Sequence, residues 1–293
     1  MYSACGNPGC TGVVESFRGT LAFAFIIVNS VLWCTLIFCL GLARPFLPRN
    51  GRHRIALGNA MVRAMDGWVV CARWMVRVLG ICRVHETERA EGLRRDAWYA
   101  VVSNHQTWAD ILVLVLALYG RIPQFKFFTK RELIWLPFLG LAMWLLEFPY
   151  VHRYSRERLE ADPGLRERDR EATLRACRVF RDRPTSVLIF LEGTRFTPAK
   201  RDAQNSPYQA LLFPKTGGLG LVLENLDDLL DAVVDVTIRY PDDAPGFWDF
   251  CCGRCPHVDV AIRPLPLPSA EPEAMRDWVD QLWKDKDARL TAS

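Results

Sequence analysis

Ala97-Trp98-Tyr99-Ala100-Val101-Val102-Ser103-Asn104-His105-Gln106-Thr107-Trp108-Ala109-Asp110 is an apolar run that stops at a histidine, with a carboxylate five places further on. The β-branched and aromatic residues up to Ser103-Asn104 predict a strand, and the aliphatic run from Ile111 to Tyr119 predicts a helix. Five residues are about 500° of α-helix, so His105 and Asp110 would not share a face if both were helical. They meet only if His105 occupies the turn and Asp110 the first helical turn. There the carboxylate can accept the Nδ1 proton, fix the tautomer and stabilise the imidazolium formed when the ring deprotonates a hydroxyl. The same spacing also has a plainer use, because Thr107-x-x-Asp110 fits a capping box in which Asp110 serves only backbone donors.

Further along, Leu188-Ile189-Phe190-Leu191-Glu192-Gly193-Thr194-Arg195 is a second strand-like run ending in charge and a glycine. Two strand ends loaded with polar chemistry point to one site at the carboxyl edge of a sheet. Asn104-His105-x4-Asp110 together with Glu192-Gly193-Thr194-Arg195 resembles the 1-acylglycerol-3-phosphate acyltransferase (lysophosphatidate acyltransferase) family over about residues 97 to 240. The resemblance extends to a sub-branch of membrane lysophospholipid acyltransferases, through Phe196-Thr197 and Leu212-Phe213-Pro214-Lys215-Thr216-Gly217.

That resemblance implies an α/β fold, a mixed sheet flanked by helices, with a catalytic domain over 83–265. It implies an enzyme that moves an acyl group from an acyl-CoA or acyl-carrier-protein thioester to the free hydroxyl of 1-acylglycerol-3-phosphate, giving phosphatidate. His105 is then the general base and Asp110 its orienting partner. Arg195 holds the acceptor phosphate with a bidentate fork, helped by Lys130 and Arg153. Glu192 positions Arg195 or the acceptor, Gly193 lets the backbone approach closely, and Thr194 completes the group. The donor thioester is a substrate, and no cofactor or metal is expected. Ser103 is read as structural. The chain departs from the family pattern at Leu191 and His152, where proline and aspartate are usual, and at Val233-Val234-Asp235-Val236, which replaces a Val-Pro pattern. Those departures leave open another lysophospholipid as acceptor, lysocardiolipin among them; a non-enzymatic membrane scaffold is the remaining alternative.

The 293 residues carry a formal net charge of only +4, which argues against a nucleic-acid partner. No charged residue occurs from Gly19 to Ala43, a stretch about 38 Å long as a helix and sufficient for a ~30 Å hydrocarbon layer. It is read as a transmembrane helix, after a disordered N-terminus over 1–18. Arg44, Arg49, Arg52 and Arg54 follow it, a bias that places the catalytic domain on the cytoplasmic face, of the inner membrane if the protein is bacterial. Residues 44–82 read as a membrane-surface segment, with a helix from Asn59 to Cys82 bearing Arg63, Asp66, Arg73 and Arg77 on one stripe.

The greasy stretch from Ile134 to Val151 is not expected to cross, since a crossing would separate His105 from Arg195. A charged helix is expected over about Arg168 to Arg181, a last β-run over Ala232 to Tyr240, and a tail over 266–293 with a short helix around Trp278 to Lys286. Cys252-x-x-Cys255-x-His257 resembles half a zinc site but lacks a second well-spaced pair. The other cysteines scatter among apolar segments and suit a reduced, cytoplasmic domain.

Overall fold

The structure, a computed structural model, describes residues 8–48, 51–130, 134–136, 138–151 and 178–292, with six positions between 152 and 177. The helices are α1 (Pro8–Gly41), α2 (Arg52–Val78), α3 (Ala109–Leu118), α4 (Leu139–Leu145), α5 (Pro198–Ala203), α6 (Gly217–Leu226), α7 (Phe247–Cys251) and α8 (Pro272–Thr291). The strands are β1 (Arg83–Glu88), β2 (Trp98–Ser103), β3 (Phe125–Phe127), β4 (Thr129–Lys130), β5 (Tyr150–Val151), β6 (Ser186–Phe190), β7 (Leu230–Arg239) and β8 (His257–Leu265). Six of them form one sheet in the order β1-β8-β7-β2-β6-β3, and β4 pairs with β5 alone.

Strand β2 lies inside the sheet, parallel to β6 on one side and β7 on the other. Ser103 stands opposite Phe190 and Val236, so the loops that leave β2 and β6 emerge at the same edge. The antiparallel β7–β8 pair makes the sheet mixed, as expected. Alternate residues of β2 feed two cores: Tyr99 and Val101 join Val113, Leu114 and Val234 on one face, while Ala100 and Val102 join Val187, Ile189 and Trp283 on the other. Burial on both faces explains why the strand reads as an unbroken apolar run.

Helix α8 is more than the short tail helix the sequence suggested. It spans 20 residues and buries Met275, Val279, Leu282 and Trp283 at helical spacing against the second core. Lys286 is fully buried with them. Its Nζ lies 2.6 Å from Asp235 Oδ1 of β7 and donates to Val236 O (2.7 Å) and Thr237 Oγ1 (3.0 Å), while Arg263 of β8 binds the same carboxylate at 2.7 Å. A lysine in a charged stretch reads as solvated; here a buried acid across the sheet reverses that.

The N-terminal segments also differ from expectation. Helix α1 begins at Pro8, so residues 8–18 are helical rather than disordered. Glu15 is held by Arg254 at 3.1 Å. The helix is long and apolar enough to cross a membrane, yet it packs along the domain. Gly19 faces Cys252 and Trp248, Phe23 meets Phe247, and Gly41 faces Leu145. Against α2, Trp33 occupies the space a Cβ at Gly67 would need, Asn29 Nδ2 donates to Trp68 O (3.1 Å), and Trp68 Nε1 donates to Ser30 Oγ (3.1 Å).

Residues 44–82, expected at a membrane surface, contribute Met61, Ala64, Val69, Ala72, Met75 and Val76 of α2 to the protein's own cores. The outer side of α2 leaves Val70, Trp74 and Val78 exposed. In the stretch from Ile134 to Val151, α4 has seven residues and is about 10 Å long, too short to cross. Most of the helix expected over Arg168 to Arg181 lies outside the described residues, and Arg178–Asp182 forms a 3-10 turn. Cys252 lies against α1 and the Cys255 thiol donates to His257 O; among the described residues no three metal-ligating groups gather.

Removing one partner of the buried Lys286–Asp235 pair strands a charge in the core. Lys286→Ala is expected to cost about 3–5 kcal/mol, read as a lower melting temperature, and Lys286→Met combined with Asp235→Leu should recover a large part of it.

Candidate active site

The loop after β2 is fixed residue by residue. Asn104 exchanges two hydrogen bonds with the backbone of Ile238, Nδ2 to O at 2.8 Å and N to Oδ1 at 2.9 Å, which sews the end of β2 to β7. Ser103 is fully buried and donates only to Asn104 O, a structural placement. His105 occupies the turn and Asp110 the first turn of α3, and His105 Nδ1 lies 2.9 Å from Asp110 Oδ2. The same oxygen accepts the backbone N–H groups of Gln106 (2.6 Å) and Thr107 (2.9 Å). One carboxylate therefore orients the imidazole and holds the loop that leads into α3. Its other oxygen accepts the Tyr240 hydroxyl at 2.8 Å, and burial pushes that phenol's pKa up. The His105 ring stacks on Phe190 at 4.0 Å and keeps 13% exposure, with no partner for Nε2 among the described residues.

Glu192 follows β6 and is fully buried. Its oxygens go to backbone donors, Oε1 to His105 N (2.7 Å) and Oε2 to Leu212 N (2.9 Å), rather than to Arg195. Burial raises its pKa to about 7 from the usual 4.5, against the pull of those two N–H groups. Gly193 has φ +68, a conformation L side chains rarely adopt, and a Cβ there would lie 3.3 Å from Lys215 Cδ. Phe196 N donates to His105 O at 2.7 Å, docking this turn on the histidine loop.

Arg195 is exposed, and its guanidinium sits 5.0 Å from the centre of the Trp108 ring, with no carboxylate partner among the described residues. Thr194 Oγ1 and Arg195 O both accept from Lys200 Nζ at 2.9 Å, so Thr194 is committed inside the loop. The structure thus brings His105, Asp110, Glu192, Gly193, Thr194 and Arg195 into one place. Lys130 ends β4, away from these motifs in sequence and with its side chain undescribed, and Arg153 lies outside the described residues.

Sequence reasoning passed over Asn104 as a clamp, Trp108, Tyr240 and Lys215. The tryptophan sat between the two motif residues, and the tyrosine closed the last β-run; these were the available signals.

A family model described as Acyltransferase matches residues 83–240, more than half of the chain and all of the site just described. The chain belongs to this acyltransferase family. Among curated relatives, the acyltransferase is 28% identical over 279 residues to the human 1-acyl-sn-glycerol-3-phosphate acyltransferase delta, covering 90% of this chain and 68% of that one. It is 25% identical over 280 residues to the human gamma form, covering 90% and 69%. Among solved structures, the 1-acyl-sn-glycerophosphate (LPA) acyltransferase PlsC of Thermotoga maritima shares its fold, with a TM-score of 0.56 at 18% identity over 95% of this chain and 99% of that one. The acyltransferase is an enzyme, with an imidazole held at the lip of its sheet.

Glu192→Gln puts an amide NH2 against one of two backbone donors. The unpaired group should cost about 1–3 kcal/mol of stability, read as a lower melting temperature, and the loosened His105 loop should lower turnover with the acceptor KM unchanged. A changed KM with normal turnover would return Glu192 to acceptor binding. Because folding raises this pKa, the folded state holds the proton more tightly. That contribution is present below pH 4.5 and is lost as pH rises through about 7. Melting curves of wild type minus Glu192→Gln should show this loss over the same window.

Proposed function

We propose that the protein transfers a fatty acyl group from a CoA or carrier-protein thioester to the free hydroxyl of 1-acylglycerol-3-phosphate, releasing phosphatidate and the free thiol. The observation that carries this reading is the pairing of His105 Nδ1 with buried Asp110 while Nε2 has no partner among the described residues, beside an exposed arginine on Trp108. Nε2 takes the acceptor proton as the hydroxyl oxygen attacks the thioester carbonyl. The C–S bond then breaks, and the imidazolium returns the proton to the leaving thiolate. General-base help of this kind is typically worth about 10²–10⁴ in rate.

An acceptor phosphate is a dianion or close to it, and the Arg195 guanidinium suits it in shape and charge. Lys215, packed against Gly193, is a second cation at the same turn. Lys130 and Arg153 are assigned to the phosphate by family resemblance alone. The names of the curated relatives support the acceptor. The apolar α1, with arginines following it, supports a membrane-anchored enzyme whose site faces the cytoplasm.

The test is acyl transfer by purified protein with defined lysolipids and both donor types. His105→Ala should lower turnover by about 10²–10⁴ with an unchanged melting temperature; retained turnover removes His105 from the base role. Arg195→Ala should mainly raise the acceptor KM, and a preference for a lysolipid other than lysophosphatidate would reassign the acceptor.

A further inference from the structure

Lys126 of β3 is 6% exposed and has no hydrogen-bond or ion-pair partner among the described residues. Its Nζ lies 5.2 Å from the centre of the Phe180 ring. Buried lysines are rarely left unpaired, and this one lines a cleft of about 280 Å³. An adjoining cleft of about 350 Å³ shares Val62, Leu146 and Arg183 with it. Arg183 is set in place by Glu147 at 3.4 Å and by Gly58 of α2, where a Cβ would come within 2.6 Å of its Nη2. Arg44 is bound to the same Glu147, and Arg54 Nη1 donates to Arg44 O at 3.2 Å. Lys126, Arg183, Arg44 and Arg54 share the joined clefts with the acids Glu147, Asp182 and Asp66, of which Asp66 is held by Arg95 at 3.2 Å and by Gln124 at 2.7 Å. Burial lowers the Lys126 pKa to about 8, with Glu147 opposing.

We infer that these joined clefts bind a phosphate group at Lys126 and Arg183, at a site separate from the one that holds His105. The separation follows from the sheet. Lys126 stands opposite Val187, three residues or about 10 Å along β6 from the Phe190 that stacks on His105, toward the amino edge. Arg44 and Arg183, which share Glu147, and the unpaired Lys126 ammonium suit a phosphate. The walls from Ile55 to Met61 and Leu145 are apolar, and Arg44 follows directly on α1. That chemistry fits the headgroup of an anionic phospholipid with its chains against the walls, while a free phosphate would use the cations alone.

Calorimetric titrations in non-ionic detergent test this, using Arg195→Ala protein so that the acceptor site does not contribute. The probes are dihexanoylphosphatidylglycerol, dihexanoylphosphatidylcholine and inorganic phosphate. The expected result is binding of the anionic lipid over the zwitterionic one. Adding Lys126→Met should weaken that binding about tenfold or more, as for a lost charge-assisted hydrogen bond, and Gly58→Ala should weaken it by displacing Arg183. Lys126→Met should also melt higher without ligand, since it removes an uncompensated buried charge, so lost binding is not lost folding. Inorganic phosphate binding as tightly as the lipid, and equally sensitive to Lys126→Met, supports the phosphate site and assigns it to a free anion. Equal binding of both lipids, no binding of any probe, or indifference to Lys126→Met overturns the inference.

Discussion

A single buried carboxylate, Asp110, accepts four donors, and the arrangement of the site depends on it. Two are backbone N–H groups of the loop, one is the imidazole and one is a phenol from the end of the β7 run. An ionised carboxylate in that position costs several kcal/mol of desolvation. Donors to a charged group return about 1.5–3 kcal/mol each, so the burial is tolerable only while the set is complete. Losing any donor weakens the loop and the ring orientation together, so holding backbone donors and orienting the imidazole are not rival roles here.

The opposite wall is built from Glu192, and the two acids pin the loop from both sides. Asn104 is sewn to Ile238, His105 N is held by Glu192, and Thr107 Oγ1 donates to Pro245 O at 2.6 Å. What remains unheld among these groups is the outer nitrogen of the imidazole. A base fixed this way spends little reorganisation when a proton arrives, because the dipoles that stabilise the imidazolium are already in place. Arg195 sits on Trp108 over the same loop, so anion and base positions are set by one short segment.

Those features of the sequence that depend on local periodicity were legible. The runs before Ser103 and Phe190 read as buried strands and pair in parallel, and the five-residue step from His105 to Asp110 allowed the turn-and-helix solution that the structure contains. The rest was hidden for definite reasons. Glu192 acts on backbone amides, which leave no side-chain pattern to find. Tyr240 lies 130 residues from its partner. The start of α1 was obscured because its Gly, Pro and Cys show no periodicity, and the protein-covered sides of α1 and α2 because an apolar stretch looks the same whether lipid or protein covers it; Trp248 and Leu145, which lie against α1, are remote in the chain. Nothing in the short helix expected around Trp278 to Lys286 marked Lys286 as buried, because its partner Asp235 lies on another element, 51 positions earlier.

The departure at Asp235 gains its meaning from that lysine. A carboxylate inside β7, one residue before the partner of Ser103, needs cations from outside the strand, and β8 and α8 each supply one. Lys286 then reaches on to Val236 and Thr237, directly before the Ile238 that clamps Asn104. Its charge also counteracts the burial of Glu192, favouring the ionised form that two backbone donors require. The C-terminal helix is thereby joined to the site by packing and by field at once. Burial dominates the shift of Glu192, and the Lys286 ammonium opposes it from the far face of the sheet.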